Sequence, residues 1–530
     1  MSQQNITQKL LASLKTVGFK KTSLKVLKYL KNNIKKLKTK KIKIDDLWGQ
    51  NIEKAIQWVK ENTIKGQGLV ISDKKRVFYP EVTGYFIPTL LLWGEREFSL
   101  EIAKGVINYQ NRDGSFNAPD GVPYTFDTGQ VIRGLVSVFD LFPQVKNPLE
   151  KACNWVLKHI QNNGRITTPD TKMWGNITDE RINLYVLPPL IEAGKKLNNP
   201  KYINAAYKAL NYYKQKKGLI EFNTLSHFYG YILEALCDLG EYDLVEKAIT
   251  MIKNLQKKDG SIPAYKDSLW VCIPGLAQLA IVFYKLGMTN EGDKALQYLK
   301  KVQNITGGFL GSIGLGADYF PFEEISWAVK FFLDACFWRI KSAFNRSFEI
   351  FPEIIDPKDG RVQEIISFFQ DINGKKIIDI GCGKGRFIKA LQPFFPKVQF
   401  YGIDISEKML QFAPKNACVS VGNILNISYP DNFFDCVYCV EALEHAVRIE
   451  KAIEEMSRIL KPFGKIVIID KNIEKIGKLN IEPWEQWFRK EELIQILRKY
   501  NIEAEAKFIS YENYKTPDGL FIAWEGIKKK

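Results

Sequence analysis

Histidine is nearly absent from this chain: there are three in 530 residues. A zinc site built on imidazoles has few ligands to draw on, so no bound metal is expected. Cysteine is sparse and scattered. The eight (Cys153, Cys237, Cys272, Cys336, Cys382, Cys418, Cys436 and Cys439) lack the spacing of a disulfide framework, and plain packing is expected for all of them. Cys436 and Cys439 form one CxxC, but DCVYCV reads as a buried strand, on which residues three apart face opposite ways. No apolar run reaches the roughly 18 residues that cross a bilayer. The N-terminus lacks the apolar core and small-residue cleavage site of a signal peptide, so a cytoplasmic location is expected. Arginine is missing from the first 45 residues, where thirteen lysines face a single acid, Asp45. Of the net charge of +17, +12 sits in that segment, which leaves +5 for everything after it. The basic character belongs to a tail, and nucleic acid is not the expected partner.

The tail has a pattern. Leu24, Leu27, Leu30, Ile34 and Leu37 recur at steps of three and four with lysines between them, which predicts a short amphipathic helix within residues 1–48. Residues 9–43 suit peripheral contact with an anionic membrane surface. They equally suit a helix that packs on the next domain and leaves its lysines solvated.

From 49 to 342 the chain repeats. YQNRDGSF (109–116), IQNNGRIT (160–167), YKQKKGLI (213–220), LQKKDGSI (255–262) and VQNITGGF (302–309) each close an amphipathic helix with a glycine stop. Each is followed by a more apolar helix, as in TGQVIRGLVSVF and LWVCIPGLAQLAIVFYKLG. Six such pairs, the apolar member inside, predict an all-α (α/α)6 toroid. The Q-x-x-D-G-S-aromatic turns resemble those of the squalene-cyclase and prenyltransferase repeat. The overall plan is similar to six-hairpin glycosidases, toroidal polysaccharide lyases and uronyl epimerases. The acidic D-x-D-D motif of protonating terpene cyclases is absent.

Polar residues gather where the inner helices begin. Glu81, Tyr85, Asp127, Arg181, His227, Asp267, Trp270 and Glu324 are expected to converge on one mouth of the toroid. Acids that bond hydroxyls and rings that stack on sugar faces suit a carbohydrate there. Helix capping is the competing account for Asp127, Asp267 and Glu81, but it does not cover Tyr85, Arg181, His227 or Trp270.

Residues 343–358 read as a linker, and strands alternate with helices from 359 to 530, the mark of an open parallel sheet. Lys376–Ile380 is a strand, Gly381, Gly383 and Gly385 make the turn, and Arg386–Phe395 is a helix. A second strand ends in Asp404. A dinucleotide site wants a third spaced glycine where Arg386 stands, and Asp379 would repel phosphates. A sulfonium cofactor has no phosphate, and its cationic amino group suits a nearby acid. IIDIGCGKGRF, VGNILNISYPDNFFDCVYCVEALEHA and LKPFGKIVIID together resemble class I S-adenosylmethionine-dependent methyltransferases of the small-molecule type. The resemblance implies a Rossmann-like seven-stranded sheet, with Ala504–Ser510 and Leu520–Glu525 as its last strands. It implies that Asp379, Gly381, Cys382, Gly383 and Gly385 surround the methionine part of S-adenosyl-L-methionine. Asp404 would hold the ribose, Ile405 pack on the adenine, and Asn423 with Ile424 meet its edge. Glu441 and His445 follow as candidates for a base on the methyl-transfer side.

The leading expectation is methyl transfer to a carbohydrate or glycan precursor bound by the toroid. A bifunctional chain, whose toroid is itself a lyase, epimerase or hydrolase, and a toroid that is only a binding scaffold remain open beside it.

Overall fold

From Leu47 to Ser347 the chain is a series of paired helices, because its apolar residues alternate between one-sided and all-round patterns. The computed structural model describes residues 47–169, 179–475, 482–509 and 519–530; the helix expected at 24–37, and all of 9–43, lie outside them. One set comprises α1 (Leu47–Glu61), α3 (Arg96–Ile107), α5 (Lys146–Lys158), α7 (Pro200–Lys214), α9 (Tyr242–Leu255) and α11 (Thr289–Val302). The other comprises α2 (Pro80–Leu92), α4 (Thr125–Ser137), α6 (Leu187–Lys196), α8 (Ser226–Asp238), α10 (Ile273–Lys285) and α12 (Ser326–Ser347). The first set buries a single stripe, such as Leu149, Ala152, Cys153, Trp155 and Val156 of α5. The second is buried almost all round: every residue of α10 from Ile273 to Tyr284 is inside. Each helix of the second set packs on its successor, and α12 returns to pack on α2.

The recurring turn does the joining. In its first copy Asp113 Oδ1 accepts from the Ser115 N–H and hydroxyl, and Asp259 does the same for Ser261. The glycine that follows the acid adopts positive φ, 100° at Gly114 and 92° at Gly260, which an L side chain resists. It also lies against the next outer helix: a Cβ on Gly260 would sit 1.9 Å from the Lys294 carbonyl, and one on Gly307 2.1 Å from that of Lys54. The glutamine that recurs in these turns has a structural role. Gln110, Gln256 and Gln303 each donate to their own turn's glycine carbonyl and to a carbonyl of the next outer helix, Pro148, Glu291 and Asn51 respectively. The third of these joins the last turn to α1 across 252 residues.

The second half is a seven-stranded sheet: β1 (Lys376–Ile380), β2 (Gln399–Asp404), β3 (Cys418–Val421), β4 (Phe434–Val440), β5 (Leu460–Lys471), β6 (Ile502–Ile509) and β7 (Phe521–Lys528). The order is β6-β7-β5-β4-β1-β2-β3, parallel from β1 to β5, with β7 antiparallel to both neighbours. The order reverses between β1 and β4, where the strand ends of an open α/β sheet leave a crevice. The flanking helices are α13 (Gly360–Phe368), α14 (Arg386–Leu391), α15 (Glu407–Leu410), α16 (Ile449–Ile459) and α17 (Lys490–Lys499).

Several expectations need adjusting. α12 runs to Ser347, past the edge expected at 342, and α14 stops at Leu391, short of Phe395. Cys418 is exposed, whereas the other seven cysteines are buried thiols. Trp270 opens a three-residue strand, Trp270–Cys272 paired with Ser312–Gly314, and not an inner helix. Among the described residues no helix is long and apolar enough to cross a membrane.

Gln303→Ala removes the bond that ties the last turn to the first helix, at Asn51, and the bond to the turn's own Gly307 carbonyl. The expected loss is about 1–2 kcal/mol of unfolding free energy, read from urea denaturation. Unaltered stability would mean that the last turn holds to α1 without this bond.

Candidate functional site

The crevice between β1 and β4 opens into a chamber of about 370 Å³. Gly381, Gly383 and Gly385 carry the chain from β1 into α14 with φ of 79°, 52° and 70°. A Cβ on Gly381 would lie 2.3 Å from that of Ala442, so the loop lies flush against the end of β4. Asp404, at the end of β2, accepts from the Gly383 N–H at 2.8 Å through Oδ2 and from the Ser406 N–H at 2.8 Å through Oδ1. Burial raises its carboxyl above the usual range, and these two bonds work against that. Asp379 is buried in β1. Burial lifts it to about 8, opposed by Tyr438 and reinforced by the charge of Asp404. The charge of Arg386 also works against the rise, but no lysine or arginine among the described residues is in ion-pair contact with Asp379. A buried acid lacking a cation, behind a loop that only glycines can form, fits a ligand with a cationic amino group. Gly381, Cys382, Gly383, Asp404, Ile405, Asn423, Ile424, Glu441 and His445 all line the chamber. Asp379 and Gly385, also expected at the cofactor, are not among the residues that line it.

The two expected bases are placed differently. Glu441 adopts φ 53°, and its Oε2 accepts from Arg361 (2.5 Å) and from Arg386 (2.7 Å). Both contacts are charge-assisted, so the carboxylate expected as a candidate base is engaged by two guanidinium groups. Arg386, the residue that breaks the dinucleotide pattern, is one of its two partners. His445 sits on a 3-10 turn, Leu443–His445, and its Nε2 is 3.3 Å from Glu444 Oε1. Glu444 is in turn 2.7 Å from the Lys471 ammonium, which also meets Glu485 at 3.0 Å. Burial would raise the Glu444 carboxyl, but His445 and the neighbouring donors hold it down to about 2. Donor atoms of Glu444, His445 and Glu485 lie within 4.8 Å of one another, a spacing a metal ion could use. Lys471 already supplies a positive charge to both carboxylates.

Part of the chamber's wall comes from the helical part. Leu92 and Trp93 at the end of α2, and Phe337, Ile340, Ala343, Phe344 and Ser347 of α12, face the glycine loop. Arg448 fastens this junction through the Trp93 carbonyl, Glu95 (2.8 Å) and Glu53 (2.6 Å). The amide nitrogen of Asn423 donates to the Leu92 carbonyl at 2.7 Å while its oxygen accepts from the Leu425 N–H at 2.9 Å, so this side chain already has work at the junction. None of these wall residues has a sequence signal of its own, since they meet the loop only through tertiary packing. Glu444 and Lys471 had one: they adjoin His445 and end the β5 motif.

A second cavity, about 720 Å³, lies at the starts of the inner helices. Glu81, Tyr85, Asp127 and His227 line it, together with Tyr79, Phe126, Asn183, Tyr231, Tyr319 and Trp327. Tyr79 donates to Asp127 Oδ2 at 3.0 Å. Burial raises Asp127 to about 7, and burial followed by the charge of Asp127 raises Glu81 well above its usual range. Burial also pushes His227 down to about 3. The Tyr85 hydroxyl is buried without a hydrogen-bond partner. The other four expected residues are elsewhere. Arg181 is spent on Asp179 and the carbonyls of Gly218, Leu219 and Glu221, clamping the next turn. Glu324 accepts from Trp58, Asn304 and Thr306. Trp270 packs with Leu225, Ala264 and Cys272, and Asp267 is exposed on a turn.

The two cavities occupy opposite ends of α2, whose residues from Glu81 to Leu92 rise about 16 Å. Between them lies a buried polar layer. Thr89 donates to Asp334 (2.8 Å), Asp334 pairs with Lys330 (2.9 Å), Lys330 reaches the Tyr185 hydroxyl (3.4 Å), and Tyr185 donates to Glu234 (3.0 Å).

Residues 378–468 match a family profile described as a methyltransferase domain. Over 152 residues the chain is 30% identical to a demethylmenaquinone methyltransferase of Geobacillus sp. (strain WCH70), covering 24% of this chain and 64% of that protein. Over 98 residues it is 36% identical to 24-methylenesterol C-methyltransferase 3 of Arabidopsis thaliana, covering 17% and 27%. The chain thus spans less than two thirds of the length of either relative. A solved structure of a SAM dependent methyltransferase from Aquifex aeolicus is similar at 23% identity, covering 36% of this chain and 96% of that one, with a TM-score of 0.28.

The raised Asp379 gives a pH signature. Between about 4 and about 8 the folded protein keeps a proton there that the unfolded chain has released, so stability falls as pH rises through that window. Asp379→Asn should remove up to about 1.4 kcal/mol per pH unit of that slope, read from urea midpoints across the window. Binding of a cationic ligand should expel the same proton, measured by calorimetry in buffers of different ionisation enthalpy. Proton-neutral binding would contradict this.

Proposed function

We infer that this chain, which carries a methyltransferase domain of the S-adenosylmethionine-dependent kind, transfers a methyl group to an acceptor held between its two halves. The observation that carries the reading is the buried pair Asp379 and Asp404 around the glycine loop. Asp404 accepts hydrogen bonds from the ribose hydroxyls, with the Gly383 and Ser406 amides fixing its orientation. Asp379 offers a carboxylate to the amino group, and Ile405 and Ile424 give the adenine two apolar faces. When bound, the cofactor supplies a methyl group on a positively charged sulfur. The residues around it need only align the acceptor, exclude water and, for a hydroxyl acceptor, take its proton. With Glu441 occupied by two arginines, His445 is the base. Asn423 can still offer a lone pair to the adenine amino group, at the cost of sharing its oxygen with Leu425.

We read the helical half as a closed six-pair toroid, supported by the return of α12 to α2 and by the bond from Gln303 to Asn51. Its cavity is proposed as a carbohydrate site. The support is a pair of buried acids, Glu81 and Asp127, beside the unpartnered Tyr85 hydroxyl among aromatic walls. A glycan seated there could receive the methyl group only by extending some 16 Å along α2 past the polar layer. That separation favours two sites in one chain over a single acceptor site in the toroid.

S-adenosylhomocysteine should bind the full-length protein in calorimetry, and Asp404→Ala should weaken it about 100-fold, roughly two charge-assisted hydrogen bonds. A wild-type protein that does not bind it overturns the donor assignment. For the toroid, titration with neutral and uronic oligosaccharides should find a ligand whose affinity falls at least about tenfold in Asp127→Ala, with cofactor binding untouched. Indifference to all of them removes the carbohydrate reading.

A further inference from the structure

Two acids share the helical cavity, and among the described residues no lysine or arginine is in ion-pair contact with either. Glu81 and Asp127 stand on the first turns of α2 and α4, line the cavity of about 720 Å³, and are 5% and 6% exposed. Tyr79 donates to one oxygen of Asp127. The cations nearby are engaged elsewhere. Lys75 and Arg165 line the cavity but pair with Glu323 at 3.7 Å and Glu180 at 3.2 Å. Lys330, whose charge reaches Glu81, is bonded to Asp334 at 2.9 Å and lies over the Phe331 ring. His227 is kept neutral by burial, so it adds no positive charge either.

A buried carboxyl is costly to ionise unless a positive charge meets it. Burial raises both acids, and the charge of Asp127 raises Glu81 further, so the two lie within reach of one another's field. One cation set against both would relieve both. With the neighbouring cations already paired, a ligand has to bring it.

The walls suit a cation as well. Tyr79, Tyr85, Phe126, Tyr231, Tyr319 and Trp327 line the same cavity. Phe126 and Tyr231 meet edge to face at 4.9 Å between ring centres, and Tyr319 and Trp327 lie 6.4 Å apart. The face of an aromatic ring is electron-rich, so it attracts an ammonium and repels a carboxylate. A uronic acid would bring a third carboxylate to the two already there. Asn183, Thr167 and Thr168 add uncharged amide and hydroxyl groups to the lining. A bare alkylammonium leaves those groups unused, whereas a sugar can bond them through its hydroxyls.

We propose that the helical cavity takes an amino sugar, with its ammonium on Glu81 and Asp127 and its ring faces against the surrounding aromatic side chains. The proposal rests on the carbohydrate reading of this cavity and narrows it to one charge class. Both acids are binding groups in it.

The test is calorimetric titration of the full-length protein near neutral pH, where the amino groups are largely protonated. The probes are a glucosamine trimer, its fully N-acetylated counterpart, cellotriose and spermidine. The glucosamine trimer should bind at least about tenfold more tightly than the acetylated trimer, cellotriose or spermidine. Glu81→Gln and Asp127→Asn keep the shape of each side chain and remove its charge. Each should weaken the glucosamine trimer roughly tenfold, while the Kd for S-adenosylhomocysteine and the urea midpoint stay near the wild-type values and show that the protein is folded. Equal affinity for the three sugars, or undiminished binding in both variants, overturns the ammonium assignment and leaves the carbohydrate reading standing. Spermidine bound as tightly as the amino sugar, with the neutral sugars unbound, overturns the sugar instead. Binding of none of the four overturns both.

Discussion

The helical half depends on how closely one backbone can approach another. At Gly260 and Gly307 the turn lies so near the next outer helix that no side chain fits, and the adjoining glutamine uses that proximity to bond a carbonyl across the gap. The bond is modest, about 1 kcal/mol net, but it repeats, and each copy sets the height of one helix pair against the next. Once the pairs share a height, the inner helices begin on one level. That level is where Glu81, Asp127 and His227 come together. The junction with the sheet depends on the same order, because Leu92, Trp93 and α12 reach the glycine loop only if their helices end at the right depth.

The buried polar layer of Thr89, Asp334, Lys330, Tyr185 and Glu234 divides what would otherwise be one continuous interior. Charges in such a place stay only because each has a partner, since removing either member of a buried pair strands the other. On one side are aromatic rings and two acids with shifted protonation. On the other are an apolar wall and the sulfonium-type site of the sheet.

Much of this was legible in the sequence, for identifiable reasons. Glycine spacing in IIDIGCGKGRF and the acid closing β2 are local signals, and the strands at Lys376–Ile380 and Gln399–Asp404 lie where the pattern put them. The helix pairs were equally readable, because amphipathic and all-apolar stretches alternate with glycine stops. What escaped was set by partners distant in sequence. Arg181 looked like a ligand-binding cation, but three carbonyls from the following turn absorb it. Glu324 is consumed by Trp58, 266 positions away. Glu441 carried the position of a base but not its freedom, because two arginines from different elements converge on it. Asp267 and Trp270 were misplaced because a short strand, not an inner helix, follows their turn.

α12 spans both compartments: Trp327 near its start lines the helical cavity, and Phe344 near its end packs on His445. Seventeen residues of α-helix separate them, about 26 Å. A helix neither stretches nor compresses appreciably under thermal forces, so residue count alone sets this distance. The molecule therefore carries a fixed gauge between its two sites. Single substitutions along α12 leave the interval unchanged. Only the gain or loss of a whole helical turn would alter the interval without rotating one end away from its chamber.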